Sequence, residues 1–522
     1  MRHRNDQDPD QVCRDRKAIT FGPSAVMALR IPFLPGLLLF AALMVCVSGV
    51  RAEIPLPYEP VAASKPFRFL DFFRGVIAGQ PESVSTPATA PDIDSAADLI
   101  TGLTADDEQT RQFREKVTRA VTANPEFDER HWRGREAAGR TAEARAALKP
   151  QLSGGLTTGL GIFDGDANDN RRSVADEGTT TEADLFINAE QQIYDFGATS
   201  HQIAATEAAR RGIDAETRTI AGRLAFDTVS AWLDMARVNA REALIAENLA
   251  IHELVLTYAE QRREAGVGAT TDVVQANAQF ASARASAAGF SAGRVDARSR
   301  FFELFSVPPD GTEGLPAPIL ELPLHIDDAR EQALASSPRM ASARLISAQR
   351  LHERRAADAA YLPSLTLQVR ATRFDVLNGQ GDYELSGRVV GQVTIDTSGA
   401  IGARADQAHA RHIQATRVLA TTRRSLEREV TTAFQTLAER REEVASYESA
   451  LLENHRSRMA VLEQFRLRGV SLLQVLRAQE DYFSVAMRYI DARVSVQVAR
   501  FVLVRALGRI GVAFDISGGS GE

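Results

Sequence analysis

The sequence of 522 residues contains very little cysteine, and this scarcity excludes two kinds of structure. Cys13 and Cys46 are its only cysteines, and both lie upstream of the segment that we expect to form the mature protein. A disulfide framework and a cysteine-based metal site are therefore excluded. The net charge of −7 gives the chain no overall basic character, so nucleic acid is not an expected partner.

Long hydrophobic runs are also scarce, because strong apolarity is confined to residues 31 to 50. The uninterrupted part of this run is shorter than the ~20 residues that a membrane-spanning helix needs. Since residues 50 to 52 fit signal-peptidase cleavage, we interpret residues 1–52 as a signal peptide, with Met27 as a candidate true start. Lipidation of Cys46 stays open. An exported chain without later apolar helices is either a soluble periplasmic protein or a β-barrel in an outer membrane.

Proline is unevenly distributed, and its gaps divide the chain. Prolines crowd residues 53–106, which we predict to be a Pro-rich leader or linker. No proline occurs between Pro150 and Pro308 or after Pro363. The sequence therefore predicts the following units: a first repeat at 107–306, a Pro-rich connector at 307–325, a second repeat at 326–510 and a C-terminal tail at 511–522.

The two halves are internal repeats. Asn124-Pro125 matches Ser337-Pro338 at an offset of 213 residues, and the segments that end at Leu152 and Leu365 match at the same offset. Farther along, the segment that begins at Asp272 matches the one that begins at Gln474 at an offset of 202. The difference of 11 residues falls between two predicted strands, so it marks a surface loop in each half.

Four segments alternate apolar and polar residues in the manner of β-strands. We predict strands at about 151–163, 182–194, 364–373 and 383–396. Each has one apolar and one polar face, which fits either a half-buried sheet or a transmembrane barrel with lipid outside and water inside. Four strands cannot close a barrel alone, so the barrel interpretation requires several chains.

Each predicted hairpin is followed by a long helix, a glycine-containing turn and a second helix. The turns are expected at 264–268 and 467–470. In the first half, apolar residues recur at helical spacing from Ile213 to Leu249, within a predicted helix of roughly 100 Å. A soluble periplasmic coiled-coil adaptor or scaffold accounts for these helices, but it does not account for the strands.

The order of these elements, given twice, resembles the TolC-like outer-membrane efflux protein family. The resemblance covers about residues 107–510 and depends on the order, spacing and duplication of several short motifs. These motifs are Ala147 to Leu152 and Tyr361 to Leu365 at the helix-to-strand junctions, Ile193 to Gly197 at a strand-to-helix junction, and the turn segments Gly266 to Val273 and Gly469 to Leu476.

The resemblance implies a mainly α fold with a small β part. A long antiparallel helical-barrel domain would carry four transmembrane β-strands per chain, and a homotrimer would complete a twelve-stranded barrel. The protein would lie in the cell outer membrane with a large periplasmic part. It would be no enzyme and would need no cofactor or metal.

The resemblance also implies a function and a set of partners. The trimer would form a duct for efflux or type I protein secretion, and the junction at Tyr194 to Gly197 favours secretion slightly. Its partners would be a periplasmic adaptor (membrane fusion) protein, an inner-membrane ABC or proton-driven transporter, and outer-membrane lipid. The sequence leaves the cargo open.

In that family, polar contacts close the helical tip, commonly through acidic residues on the helix after the second-half turn. The corresponding positions here are Gln474 and Arg477, whereas Asp272 keeps the acidic position of the first half. We hypothesise that Asp272 and Arg477 of three chains pair at a constriction; the alternative is that both are solvated surface residues. The gate candidates are Thr271, Asp272, Gln474 and Arg477, and the tip-turn candidates are Gly266, Gly268, Arg468 and Gly469.

Two other motifs contain residues that can bind metal ions, but neither forms a complete metal site. The segment from Asp164 to Asn170 resembles the start of a calcium loop, but it lacks the glycine and the bidentate glutamate that such a loop needs. His409 and His412 share a helix face without an evident third metal ligand. We expect an exposed loop and a solvated helix surface, respectively.

Overall fold

The protein is described from a computed structural model. The structure describes residues 99, 102, 103, 105–161, 180–374, 376, 383–466 and 470–516. Four predicted features lie outside the described residues: the signal peptide with Cys46, nearly all of the Pro-rich leader, the calcium-like segment at 164–170, and the turn residues Arg468 and Gly469.

The described residues of the first repeat form four helices and two strands. They are α1 (Asp107–Thr122), α2 (Pro125–Ala146), β1 (Gln151–Gly161), β2 (Thr180–Tyr194), α3 (Ala198–Glu264) and α4 (Thr270–Phe305). A capping box begins α1, because the Asp106 carboxylate accepts from the Gln109 amide at 2.7 Å and the Gln109 side chain accepts from the Asp106 amide at 3.1 Å. Pro125 begins α2 at a position where no backbone N–H is required.

The second repeat has the same order of elements. They are α5 (Ile326–Ser336), α6 (Pro338–Ala359), β3 (Ser364–Arg373), β4 (Tyr383–Gln392), α7 (Ala400–Arg466) and α8 (Leu472–Ala506), followed by the short α9 (Ile510–Ala513). Pro338 begins α6 as Pro125 begins α2. Strand β4 ends at Gln392, four residues before the predicted boundary, and α9 occupies part of the segment that we expected to be a tail.

The four strands form one antiparallel sheet in the order β1-β2-β3-β4. The register places Leu185 beside Leu156, and Ala371 beside both Ile187 and Leu385, so apolar residues of neighbouring strands share one face. On the other face, Gln368 donates to Glu190 at 3.2 Å and accepts from Arg388 at 3.1 Å. A polar row thus crosses three strands.

The helices pack side by side along their lengths. Helix α3 packs against α2 and α6, and α6 packs against α7. The helices that follow the turns differ, since α4 packs mainly on α3 whereas α8 packs on both α7 and α3. Within the described part of the chain, no helix combines the length and apolarity that a membrane crossing requires.

The largest apolar core lies where α1, α3, α4, α8 and α9 meet. Phe113 is fully buried there, with its ring centroid 5.3 Å from that of Trp232 and 5.7 Å from that of Phe514. The Trp232 indole N–H donates to the Gly314 carbonyl at 2.9 Å, so the connector is fixed to this core. A second core joins α5, α6, α7 and α8. Each core joins side chains of several helices, and both include residues of the long helices α3 or α7, so the cores hold these helices at fixed positions.

Candidate functional site at the helix turns

The two strand-to-helix junctions use the same chemistry in both repeats. Asp195 accepts from the amides of Gly197 at 3.1 Å and Thr199 at 2.7 Å, which caps α3. Asp396 accepts from the amides of Ile401 at 2.8 Å and Gly402 at 3.0 Å, which caps α7. The backbone N–H of Gly402 lowers the pKa of Asp396. The matched Asp positions in the sequence are therefore helix caps.

The first-half turn depends on both of its predicted glycines. Gly266 has φ +70°, a left-handed conformation that ends α3. Glycine adopts this conformation without the steric strain that a Cβ would cause. At Gly268 an added Cβ would lie 2.8 Å from the Arg263 amide nitrogen, so the chain could not pass so close to α3. The backbone conformation at Gly266 and the close approach at Gly268 thus explain why both positions are glycine.

A small apolar cluster joins the ends of the four helices at the two turns. Ala259 of α3, Ala276 of α4, and Leu472 and Leu476 of α8 are buried in it, and Phe465 of α7 packs against it. Part of the second turn lies outside the described residues. The cluster nevertheless brings together the ends of the four helices that flank the two turns.

Arg262 closes one side of this cluster. Its guanidinium lies 5.8 Å from the ring centroids of both Tyr258 and Phe465, and these two rings meet edge to face at 5.6 Å. Arg262 also donates to the Val267 carbonyl at 3.4 Å. The first turn is thereby linked to the end of α7.

The four gate candidates lie within the first two turns of the helices that follow the chain reversals. Thr271 is exposed and Asp272 half-buried on α4, whereas Gln474 and Arg477 are exposed on α8. The Gln474 side chain accepts from the Ser471 amide at 3.1 Å, so within one chain it caps α8. Asp272 and Arg477 each adjoin a residue of the apolar cluster, Val273 and Leu476, and neither forms an ion pair with another described residue of the same chain.

A buried polar network above the turns was not anticipated from the sequence. Arg458 of α7 is 4% exposed and donates to the Gln479 carbonyl oxygen at 3.2 Å, while the Gln479 amide donates to Asn248 of α3 at 2.9 Å. The Arg458 guanidinium also stacks 4.0 Å from the Tyr482 ring centroid, and its Nη1 lies 3.9 Å from a Glu247 carboxylate oxygen. The network therefore connects α3, α7 and α8.

One signal in the sequence could have revealed this network. The buried face of α8 runs through Leu472, Leu476, Gln479 and Tyr482 at helical spacing, so Gln479 occupies an apolar position. A buried amide needs hydrogen-bond partners, and long polar residues on the neighbouring helices were the candidates to supply them.

Among the described residues, no cluster of three or more His, Cys, Asp or Glu side chains is placed to hold a metal ion. The pKa of the buried His252, on α3, is lowered by burial and partly restored by Glu480.

Two repeats of long helices, with one four-stranded sheet and an apolar cluster that joins the helix ends at the turns, define a mainly helical class of protein with a small β part. Comparison with known families agrees, because the outer membrane efflux protein family model matches residues 117–304 and 329–509. The chain belongs to the outer membrane efflux protein family. This assignment confirms the resemblance drawn from the sequence and the outer-membrane location, which argues against the soluble adaptor.

Individual relatives and solved structures agree with the family. The chain is 25% identical over 375 residues to the outer membrane efflux protein BepC of Brucella suis, a match that covers 71% of this chain and 79% of BepC. Its fold is similar to VceC of Vibrio cholerae, with a TM-score of 0.64 and 17% identity over 76% of this chain and 96% of VceC. The MtrE channel of Neisseria gonorrhoeae gives a TM-score of 0.64 and 17% identity, over 76% of this chain and 88% of MtrE.

Proposed function

We propose that three copies of this chain form a continuous duct across the outer membrane and the periplasm. Three sheets of four strands would close into a twelve-stranded barrel, and the long helices would continue it as a tunnel. An inner-membrane ABC or proton-driven transporter, joined through a periplasmic adaptor, would deliver cargo to the helix turns. The duct itself would have no catalytic step.

The exposed apolar face of the sheet carries this proposal. Leu152 is 76%, Leu385 73% and Ile187 55% exposed in a single chain. All three lie on the apolar face of the sheet, opposite the polar row formed by Glu190, Gln368 and Arg388. Large apolar side chains in such a continuous band require an apolar surrounding. Lipid on this face and water on the polar face satisfy both requirements.

The sheet edges support assembly into a closed barrel. Within the described sheet, β1 and β4 each have a strand neighbour on one side only. Unpaired strand edges expose backbone donors and acceptors, which lipid cannot satisfy. Pairing of β1 in one copy with β4 in the next removes both edges.

The dimensions of the long helices support the tunnel. Helices α3 and α7 each contain 67 residues. At 1.5 Å per residue each is about 100 Å long, which is suited to a path through the periplasm. The relative BepC is an outer membrane efflux protein, and efflux favours small solutes over secreted protein as cargo.

The gate would lie at the turns. Asp272 and Arg477 both adjoin the apolar cluster at the turns, and neither has an ion-pair partner among the described residues of its own chain. Each is therefore available to form an ion pair with a neighbouring copy. Pairing of the Asp272 carboxylate with the Arg477 guanidinium across copies would narrow the periplasmic opening. Cargo delivery would then require these contacts to separate.

Engineered cysteines test the assembly. Both native cysteines precede residue 52, so Ser153→Cys on β1 and Ser386→Cys on β4 would be the only thiols of a chain cleaved there. In outer-membrane fractions, a bis-maleimide should link this double variant into covalent trimers. The control pair Ser153→Cys and Thr366→Cys places the second thiol on the interior strand β3 and should give few trimers. Recovery of the protein in the soluble periplasm, or monomers alone after cross-linking, contradicts the duct.

A further inference from the structure

A solvent-open groove is lined by residues of α3, α6, α7 and α8. Its volume is about 790 Å³, within the range of roughly 300–1,000 Å³ typical of small-molecule sites. It is separate from the gate candidates, since its lining residues on α8 begin at Val494. Nothing in the duct proposal uses this groove.

The lining of the groove is rich in arginine. The arginines are Arg237, Arg339, Arg428, Arg440 and Arg505. The carboxylates among the lining residues are Asp234 and Glu429. Arg237 donates to Asp234 at 2.6 Å, Arg339 donates to Glu429 at 2.6 Å, and Arg440 pairs with Glu443 outside the groove.

Two arginines remain without a carboxylate partner among the described residues. Arg428 is exposed on α7, and Arg505 of α8 lies 4.3 Å from the Phe226 ring centroid. The groove thus keeps a positive charge after its internal pairs are counted. Arginine presents several N–H donors in a planar fork, which suits bidentate contact with carboxylate, sulfonate or phosphate groups.

The floor of the groove is apolar. Val494, Val498 and Val502 of α8 line it beside Ala433 of α7. These residues can cover an apolar body while the arginines contact a charged group. The combination selects amphipathic anions over both inorganic ions and neutral apolar molecules.

The positive charge continues into an adjacent cavity of about 400 Å³. This cavity shares Arg339, Glu429 and Arg505 with the groove, and it adds Arg218, Arg223 and Arg509. Arg223 pairs with Glu126 and Asp227. Arg509 donates to the Glu321 carbonyl, and Arg218 forms no ion pair with a described residue. The cationic surface is therefore a band rather than a single site.

We propose that the groove binds amphipathic organic anions, with an aromatic or aliphatic body and a carboxylate or sulfonate group, and that these anions are cargo. The second half of this proposal rests on the duct proposed above. In a trimer, three grooves would form a ring of anion sites between the turns and the sheet.

Equilibrium dialysis of the full-length protein in dodecyl maltoside tests the site directly. Naphthalene-2-sulfonate should bind more tightly than 2-naphthylmethylammonium, which has the same aromatic body and the opposite charge. Arg428→Gln should weaken sulfonate binding about tenfold, as expected for loss of one charge-assisted contact. Arg428→Lys should weaken it less because the charge remains.

Arg417→Gln provides the matched control. Arg417 is an exposed arginine of the same helix outside the groove lining, so its loss changes net charge equally and should leave binding unchanged. Far-UV circular dichroism checks that each variant folds. Equal binding of the sulfonate and the ammonium, or equal losses in the Arg417 and Arg428 variants, overturns the site.

Single-channel recording in planar bilayers tests the cargo half. Naphthalene-2-sulfonate should reduce the current through the wild-type channel, and Arg428→Gln should raise the blocking concentration by about the same tenfold factor. Open channels that bind the sulfonate in dialysis without block show that the groove lies off the path and overturn its role in cargo passage. Absence of any channel contradicts the duct, while the dialysis result still decides the site.

Discussion

The two helices that follow the turns arose at equivalent positions of the repeat, but they have different surroundings. Helix α8 has buried residues along its whole length, and Tyr482, Tyr489 and Ile490 are almost fully enclosed. Helix α4 has no buried residue between 284 and 300. The duplicated sequence has therefore produced one helix that completes the core of the chain and one that leaves a side open.

The open side of α4 has a composition suited to close contact. Alanine, serine and glycine dominate residues 281 to 293, and small residues let helices approach closely. In the proposed trimer, we therefore expect a neighbouring copy to cover this side of α4. The difference between α4 and α8 also teaches that equivalent repeat positions need not share a role in folding, and the following variants test that distinction.

The largest expected effect is loss of the buried network that fixes α8. Arg458→Ala leaves Gln479 without its donor and should lower the free energy of unfolding by about 3 kcal/mol, as for other broken buried charge contacts. Urea unfolding in dodecyl maltoside, followed by circular dichroism, measures this. The control is Arg456→Ala, because the Arg456 side chain is 71% exposed and its ion-pair partner among the described residues is the exposed Glu453. A change below about 0.5 kcal/mol is therefore expected. Equal stabilities of the two variants refute a structural role for the network.

The next variants place a large side chain on each helix. Ala486 of α8 is fully buried, so Ala486→Phe should destabilise the chain by about 2 kcal/mol through overpacking. Ala285 of α4 is exposed, so Ala285→Phe should fold normally but reduce the trimer fraction seen by light scattering. If Ala285→Phe trimerises like the wild type, the open side of α4 is not a contact between copies.

A smaller effect is expected at the caps, where the repeats agree. Asp195→Ala should cost about 1 kcal/mol, the typical value for an N-cap. Since the folded pKa of Asp396 is lowered, its charge stabilises the protein above its unfolded pKa, near 3.8, and this contribution is lost as pH falls through the lower folded pKa. Asp396→Asn keeps a capping oxygen without the charge.

Thermal melting of wild type and Asp396→Asn over decreasing acidic pH isolates this contribution. The difference in melting temperature between them should shrink as the pH falls below the unfolded pKa. A difference that stays constant through this range shows that the carboxylate charge at Asp396 does not stabilise the junction.

The sequence predicts well what depends on local chemistry. Asn124-Pro125, the alternating strands and Gly266-Val267-Gly268 each have a physical reason that acts within a few residues, and the observed elements lie at or near the expected positions. The predicted end of β4 lies beyond the observed one because Val393 and Ile395 continue the alternation, although the pairing stops at Gln392, opposite Ser364, the first residue of β3.

The features that the sequence did not predict depend on packing between distant segments. The Arg458–Gln479–Asn248 network joins residues separated by more than 200 positions, and no local pattern states which helices meet. The arginine groove likewise collects residues from four helices. The pairing of Asp272 with Arg477 across copies stays a prediction, since it requires contacts that a single chain does not contain.

The smallest effect on folding, and the sharpest test of the gate, is expected for these two residues. Arg477 is exposed, so Arg477→Asp should change the free energy of unfolding by no more than about 0.5 kcal/mol. In planar bilayers it should raise single-channel conductance, because Asp272 would then face a second carboxylate across the opening and repulsion would widen it. The charge swap Asp272→Arg with Arg477→Asp restores opposite charges and should return the conductance toward the wild-type value. Unchanged conductance in the single variant, or no recovery in the swap, means that the two residues belong to the solvated surface and that the turns are closed by other contacts.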